Sequence, residues 1–254
     1  MRVNRPDIVR GTVAWDAVTA NLATITYISL PATAASPDDA VRHRTMIEYS
    51  VGHLPAALAA WREHPTAPVN SGELMMLAEC FADAGIESAA GYAEQLRHAE
   101  PTDADFVLGR LRFQQHRLAE SAGILERALR NARHDPWATI DAMGRSLDLV
   151  RALATDHALA PALTESLARP YAAGLWEDAR RWYLATMLRD LEACSPRTIR
   201  ALRALEPWPP WQEQFLKMRR DCYATVLMDD LRSRAESDLD AYTADEPLPL
   251  LTTR

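Results

Sequence analysis

The chain has 254 residues, 48% of them hydrophobic and 25% charged, a mixture that can bury a core and excludes disorder along the whole length. Lys and Arg number 28 against 35 Asp and Glu, a net charge of −7, so phosphate backbones repel it overall and non-specific nucleic-acid binding is excluded. With only 9 glycines, the chain lacks the turns of a β-sandwich or barrel and the glycine-rich loop of a dinucleotide fold, and the predicted class is all-α.

Residues 1–35 read as a separate N-terminal segment. Arg2, Arg5 and Arg10 precede a charge-free stretch from Ala17 to Leu30, and Ala32-Thr33-Ala34 follows as an A-x-A-like site, the order of a secretory signal. Asn21, Thr19, Thr24 and Thr26 interrupt the stretch, and it falls short of the roughly 20 residues of a membrane span. The expectation is a packed arm, strand or helix, with export or membrane association as the alternative. Cys80, Cys194 and Cys222 are odd in number, far apart and without a CxxC. Neither a disulfide framework nor a zinc site is expected, Cys80 and Cys222 read as buried thiols, and the cytoplasm is the expected compartment.

Next along the chain comes an internal similarity. Gly52-His-Leu-Pro-Ala-Ala57 is followed 33 residues later by Gly85-Ile-Glu-Ser-Ala-Ala90, and 31 residues after that by His116-Arg-Leu-Ala-Glu-Ser121. Each copy has a turn residue and, five positions on, a small one (Ala57, Ala90, Ser121). A period in the low thirties accommodates two short helices and their turns. Predicted helix starts punctuate the copies: Ser36-Pro37-Asp38-Asp39, a capping box at Asn70 and Glu73, a weaker one at Thr102 and Asp105, and Asp135-Pro136.

These residues resemble the tetratricopeptide repeat in degenerate form. In the copy from Thr102 to Pro136, Leu108-Gly109 stands at the Leu-Gly of the motif, with Phe113, Ser121, Leu125 and Ala128-Leu129 following. The second copy has Leu77-Ala78, Phe81 and Gly85; the first departs most, with Arg44-Thr45 at the Leu-Gly place. The resemblance implies an α-α superhelix of stacked hairpins over residues 36–136, with a concave groove lined by the first helix of each pair. Matched to the motif, that groove holds Met75, Glu79 and Asp83 from the second copy and Phe106, Arg110, Phe113 and Gln114 from the third. Arg42, Met46 and Tyr49 come from the first. The family's pattern for clamping a terminal carboxylate is absent.

From Trp137 the period blurs. Ile140, Met143, Leu147, Val150 and Leu153 mark an amphipathic helix, His157–Leu167 a second, and Gly174 to Cys194 a third, with Trp176, Trp182 and Tyr183 as packing residues. Ser195-Pro196 starts a short helix, and Glu206-Pro-Trp-Pro-Pro-Trp211 breaks the pattern with a rigid aromatic knob, a packing cap or a docking site. One long closing helix is predicted from about Phe215 to Tyr242. Residues 137–245 thus read as further hairpins with a capping helix, and 246–254 as an extended tail.

No metalloprotease, serine-hydrolase, P-loop or dinucleotide motif is present, and none of the seven histidines forms an i,i+4 pair. Neither catalytic residues, metal nor cofactor are expected. The expected function is a non-catalytic scaffold that holds a peptide or partner helix in the groove. The alternative is an accessory module of an enzyme system, since Arg44-Thr-Met-Ile-Glu-Tyr-Ser50 resembles the end of an aminopropyltransferase-like domain. An α-helical enzyme with a site of scattered side chains is the third reading.

Overall fold

The structure, a computed structural model, describes residues 37–63 and 65–245. The readings for residues 1–35 and for the tail 246–254 lie outside them. Among the described residues the regular elements are twelve α-helices and one 3-10 turn, without a strand, and no helix is long and apolar enough to cross a membrane. The contacts divide the described residues into two compact units, one up to residue 183 and one from residue 184 to 245.

In the first unit, α1 (Pro37–Ser50) and α2 (Leu54–Glu63) form one pair, α3 (Ser71–Asp83) and α4 (Ser88–Leu96) a second, and α5 (Pro101–Gln114) and α6 (Leu118–Asn131) a third. Then come α7 (Ile140–Leu153), α8 (Ala160–Ser166), a 3-10 turn over Gly174–Trp176 and the start of α9 (Glu177–Glu192). Beyond the contacts within each pair, α1 packs on α3, α3 on α5 and α5 on α7, while α2, α4 and α6 each pack on the helix that follows them.

The three pairs turn the same way. Gly52, Gly85 and His116 have φ of 82°, 69° and 59°, the left-handed conformation that glycine adopts without the strain a Cβ brings. At each, the next residue's N–H returns to the carbonyl five positions back: His53 to Glu48, Ile86 to Phe81 and Arg117 to Arg112, all at 2.9 Å. This bond caps the first helix with a Schellman motif.

Seven residues before each corner stands a small buried residue: Thr45, Ala78 and Gly109. A Cβ on Gly109 would lie 2.5 Å from Leu125 Cδ2, and the Ser121 hydroxyl donates to Gly109 O at 2.7 Å. Glycine is therefore what lets α5 and α6 approach there. Thr45 takes the same place in the first pair, so the departure of Arg44-Thr45 from Leu-Gly keeps a small side chain at the contact.

Local expectations fare unevenly. Asn70 Oδ1 accepts from Glu73 N–H at 2.8 Å, although the Glu73 carboxylate returns to Val69 N–H, at 2.9 Å, rather than to the cap residue's own. In the second pair Ala89 is fully buried and Ala90 only partly. The first turn of α4 is of 3-10 type, Ala89 N–H bonding Ile86 O and Ala90 N–H bonding Glu87 O, both at 3.0 Å, and this tighter winding rotates the inward face by about one position. Thr102 lies inside α5, whose cap residue is Glu100, so Thr102 and Asp105 form no capping box. Asp135 closes a turn instead of starting a helix, its Oδ1 accepting from Trp137 N–H at 2.9 Å, and Thr139 is the cap of α7. On α7, Met143, Leu147, Val150 and Leu153 are buried as their spacing predicts.

The second unit holds the rest of α9, α10 (Pro196–Arg203), α11 (Glu213–Thr225) and α12 (Asp229–Asp245). Ser195 caps α10 by accepting from Thr198 N–H at 3.2 Å. The predicted single closing helix is two, because Leu227 turns left-handed with φ 57° and Met228 N–H bonds Tyr223 O at 3.0 Å, folding α12 back onto α11. Arg219 of α11, 1% exposed, anchors that pair: it donates to both oxygens of Glu206 at 2.6 and 2.9 Å and to Asp238 of α12 at 2.6 Å. Trp211 packs near Tyr242, ring centroids 6.1 Å apart, whereas Trp208 is 56% exposed.

Cys194 and Cys222 are joined as a disulfide, with Cα atoms 5.1 Å apart, which corrects the expectation of a buried Cys222 thiol. Spacing could not reveal the pair, since only the fold brings residues 28 apart together. Disulfides persist in oxidising compartments, so the expectation of a reducing compartment loses the support it drew from the cysteines. Cys80 remains a free, buried thiol.

Candidate binding face

The first helices of the pairs, α1, α3 and α5, carry the predicted groove residues at matching places. Met46, Glu79 and Arg110 stand six residues before their corners, and Arg42, Met75 and Phe106 stand ten before. Phe106 and Met75 are 1% and 3% exposed. These two serve the core, and only a change of packing would present them to a partner.

The polar members meet one another. Glu73, Glu79 and Asp83 run along α3, and an arginine from a different helix reaches each. Arg42 of α1 pairs with Glu73 and donates to Thr66 Oγ1 and Ala67 O, both at 2.9 Å. Arg110 of α5 pairs with Asp83 at 2.7 Å, and Gln114 donates to the same carboxylate at 3.5 Å. Arg145 of α7 pairs with Glu79 and donates to Tyr49 Oη at 3.1 Å, with its guanidinium 5.2 Å from the Tyr49 ring centroid. Tyr49 in turn donates to Glu79 Oε2 at 2.6 Å. A carboxylate beside an aromatic ring is the chemistry that holds a guanidinium group.

The arrangement is thus a charge ladder laid across four helices. Glu79 is buried at 2% exposure, while Arg145 and Asp83 keep side-chain exposures of 20% and 24%. Phe113 and Gln114 are half-buried. A cleft of about 300 Å³ beside the end of α3 is lined by Pro55, Leu58, Ala59, Arg62, Cys80, Asp83 and Ala84. Burial, with Glu79 adding to it, pushes the Cys80 thiol up to about 12, so at neutral pH it stays protonated.

Two further carboxylates on α5 tie the stack together. Asp105, 1% exposed, accepts from Arg97 at 3.0 Å and from Arg127 at 2.9 and 3.0 Å. Asp103, equally buried, accepts from Thr139 N–H at 3.1 and 3.2 Å and from the Thr139 hydroxyl at 2.6 Å, at the start of α7. Burial raises Asp103 to about 6, against the Thr139 bonds that favour the carboxylate.

Reading the groove from the repeat resemblance missed Arg145 and Glu73 as members of the ladder on α3, and Asp103 as the carboxylate that holds Thr139. Glu73 was legible only as half of a capping box. Arg145 reaches partners 66 and 96 residues away, and a charged residue on an amphipathic helix announces no such contact. The corner histidines His53 and His116 are exposed, as expected of turn residues.

Comparison with protein-family models, with curated proteins and with solved structures finds no match. Among the described residues the protein is all-helical, its helices packed against their neighbours in a manner compatible with a helical repeat.

Proposed function

We propose that this chain is a non-catalytic interaction scaffold, a degenerate tetratricopeptide-like solenoid that holds a peptide or partner helix against the face of α1, α3 and α5. The observation that carries the reading is the threefold recurrence of one corner, at Gly52, Gly85 and His116, with a small residue seven positions before each. A single hairpin of this size cannot bury its apolar face, so a recurring corner with each pair packed on the next is what a stacked repeat requires. In this reading one face of the first helices is left free of second helices, and the half-buried Phe113 and Gln114 are assigned to it, Gln114 as the second donor to the Asp83 that pairs with Arg110.

The test is capture of partners by the immobilised full chain, followed by affinity measurement on the partner identified. Phe113→Ala and Arg110→Glu are each expected to weaken that binding at least tenfold while the helical circular dichroism is kept. Binding that neither substitution changes removes the groove assignment.

A further inference from the structure

Three guanidinium groups meet the acidic row of α3, and they are not equivalent. Arg42 and Arg110 come from α1 and α5, the helices packed on either side of α3, and Arg42 has further bonds to Thr66 and Ala67. Arg145 comes from α7, which packs on α5 and α6. Its side-chain exposure of 20% exceeds the 17% of Arg42 and the 10% of Arg110. Its contact with Glu79 and Tyr49 therefore depends on the position of a helix outside the three pairs.

The notch that Arg145 fills has the composition of an arginine site. Glu79 supplies a buried carboxylate that takes Nε at 3.3 Å as well as Nη2, a two-nitrogen grip that suits a planar guanidinium better than a lysine ammonium. Tyr49 adds an aromatic face at 5.2 Å and a hydroxyl at 3.1 Å. The net charge of −7 favours encounter with a basic partner.

We propose that Glu79 and Tyr49 form an arginine receptor whose resting occupant is Arg145, and that a partner segment presenting an arginine displaces it. The inference rests on the scaffold reading above and specifies the chemistry of its ligand. An internal side chain competes at the high effective concentration of a tethered group, on the order of millimolar. The intact protein therefore binds a lone arginine weakly, and removing Arg145 removes the competitor.

The probe is N-acetyl-arginine amide, titrated into the full chain by calorimetry with N-acetyl-lysine amide as the control. Arg145→Ala is expected to bind the arginine amide at least tenfold more tightly than the unaltered protein does. It is also expected to prefer it at least tenfold over the lysine amide, and adding Glu79→Gln is expected to abolish the binding. If Arg145→Ala does not fold, Arg145→Met, which keeps an aliphatic stem over Tyr49, carries the same measurement. Absence of binding, equal binding of the two amides, or indifference to Glu79→Gln overturns the proposal. Loss of the arginine response with Phe113-dependent partner capture intact overturns this inference alone. The reverse outcome overturns the scaffold reading alone.

Discussion

Replacing Arg219 with alanine is expected to destabilise the protein by about 3–5 kcal/mol, the range for removing one member of a buried ion cluster. Arg219 is 1% exposed and its guanidinium bridges Glu206, before the Pro/Trp loop, to Asp238 on α12. Burial works against its charge, but the two carboxylates overcome that and raise its pKa. Truncation leaves the Glu206 carboxylate, which also accepts from Tyr223 Oη at 2.9 Å, without its cation although its side chain keeps only 14% exposure. Urea unfolding of Arg219→Ala, Glu206→Gln and the double variant measures the coupling. The double variant is expected to lose less than the sum of the singles, by about 1–3 kcal/mol. Simple additivity would show that the cluster does not act as a unit.

Asp103 gives the second large effect, and its sign is opposite to that of most carboxylates. Its folded pKa, about 6, lies above its ordinary 3.8, so between those values the folded chain holds a proton that the unfolded chain has lost. Its contribution to stability is complete below about pH 4 and is lost as pH rises through about 6. The displacement corresponds to about 3 kcal/mol. Asp103→Asn keeps a neutral acceptor for Thr139 N–H at all pH values. Relative to this variant the unaltered protein is expected to lose about 3 kcal/mol between pH 4 and pH 7. Glu87, held down to about 2 by hydrogen bonds from Arg112 and Gln115, titrates in both proteins and cancels from the comparison. A stability difference that stays flat with pH would mean that Asp103 is not held protonated by its burial.

The repeated corners were legible because they depend on short-range chemistry. Gly52 and Gly85 announce a left-handed residue, and the Leu108-Gly109 step gave His116 its place although histidine itself signals no such turn. Leu227 makes the same turn with neither glycine nor a repeat around it, and the expected long helix divided there. The register of α4 slipped by one residue because helix winding at a terminus, 3-10 rather than α, is set by how the pair packs. The disulfide and the Arg145 bridge were illegible for a common reason. Each joins residues whose proximity exists only once several helices are assembled, and no local pattern encodes it. The candidate face was accordingly read as more open than it is, since burial of Met75, Phe106 and Glu79 depends on their neighbours in space.

The claim at the centre is that successive helix pairs stack with equivalent corners, and distances between spin labels test it most directly. Labels can be attached at introduced cysteines replacing the exposed His53, Glu87 and Arg117. Cys80 stays out of the reaction, its thiol buried and un-ionised, and Cys194 and Cys222 are already joined. With neighbouring helices packed about 8–10 Å apart, the 53–117 separation should be about 20 Å, narrow in distribution and roughly twice the step from 53 to 87. A 53–117 distance no longer than that single step, or one spread broadly beyond about 30 Å, would contradict the stacked arrangement.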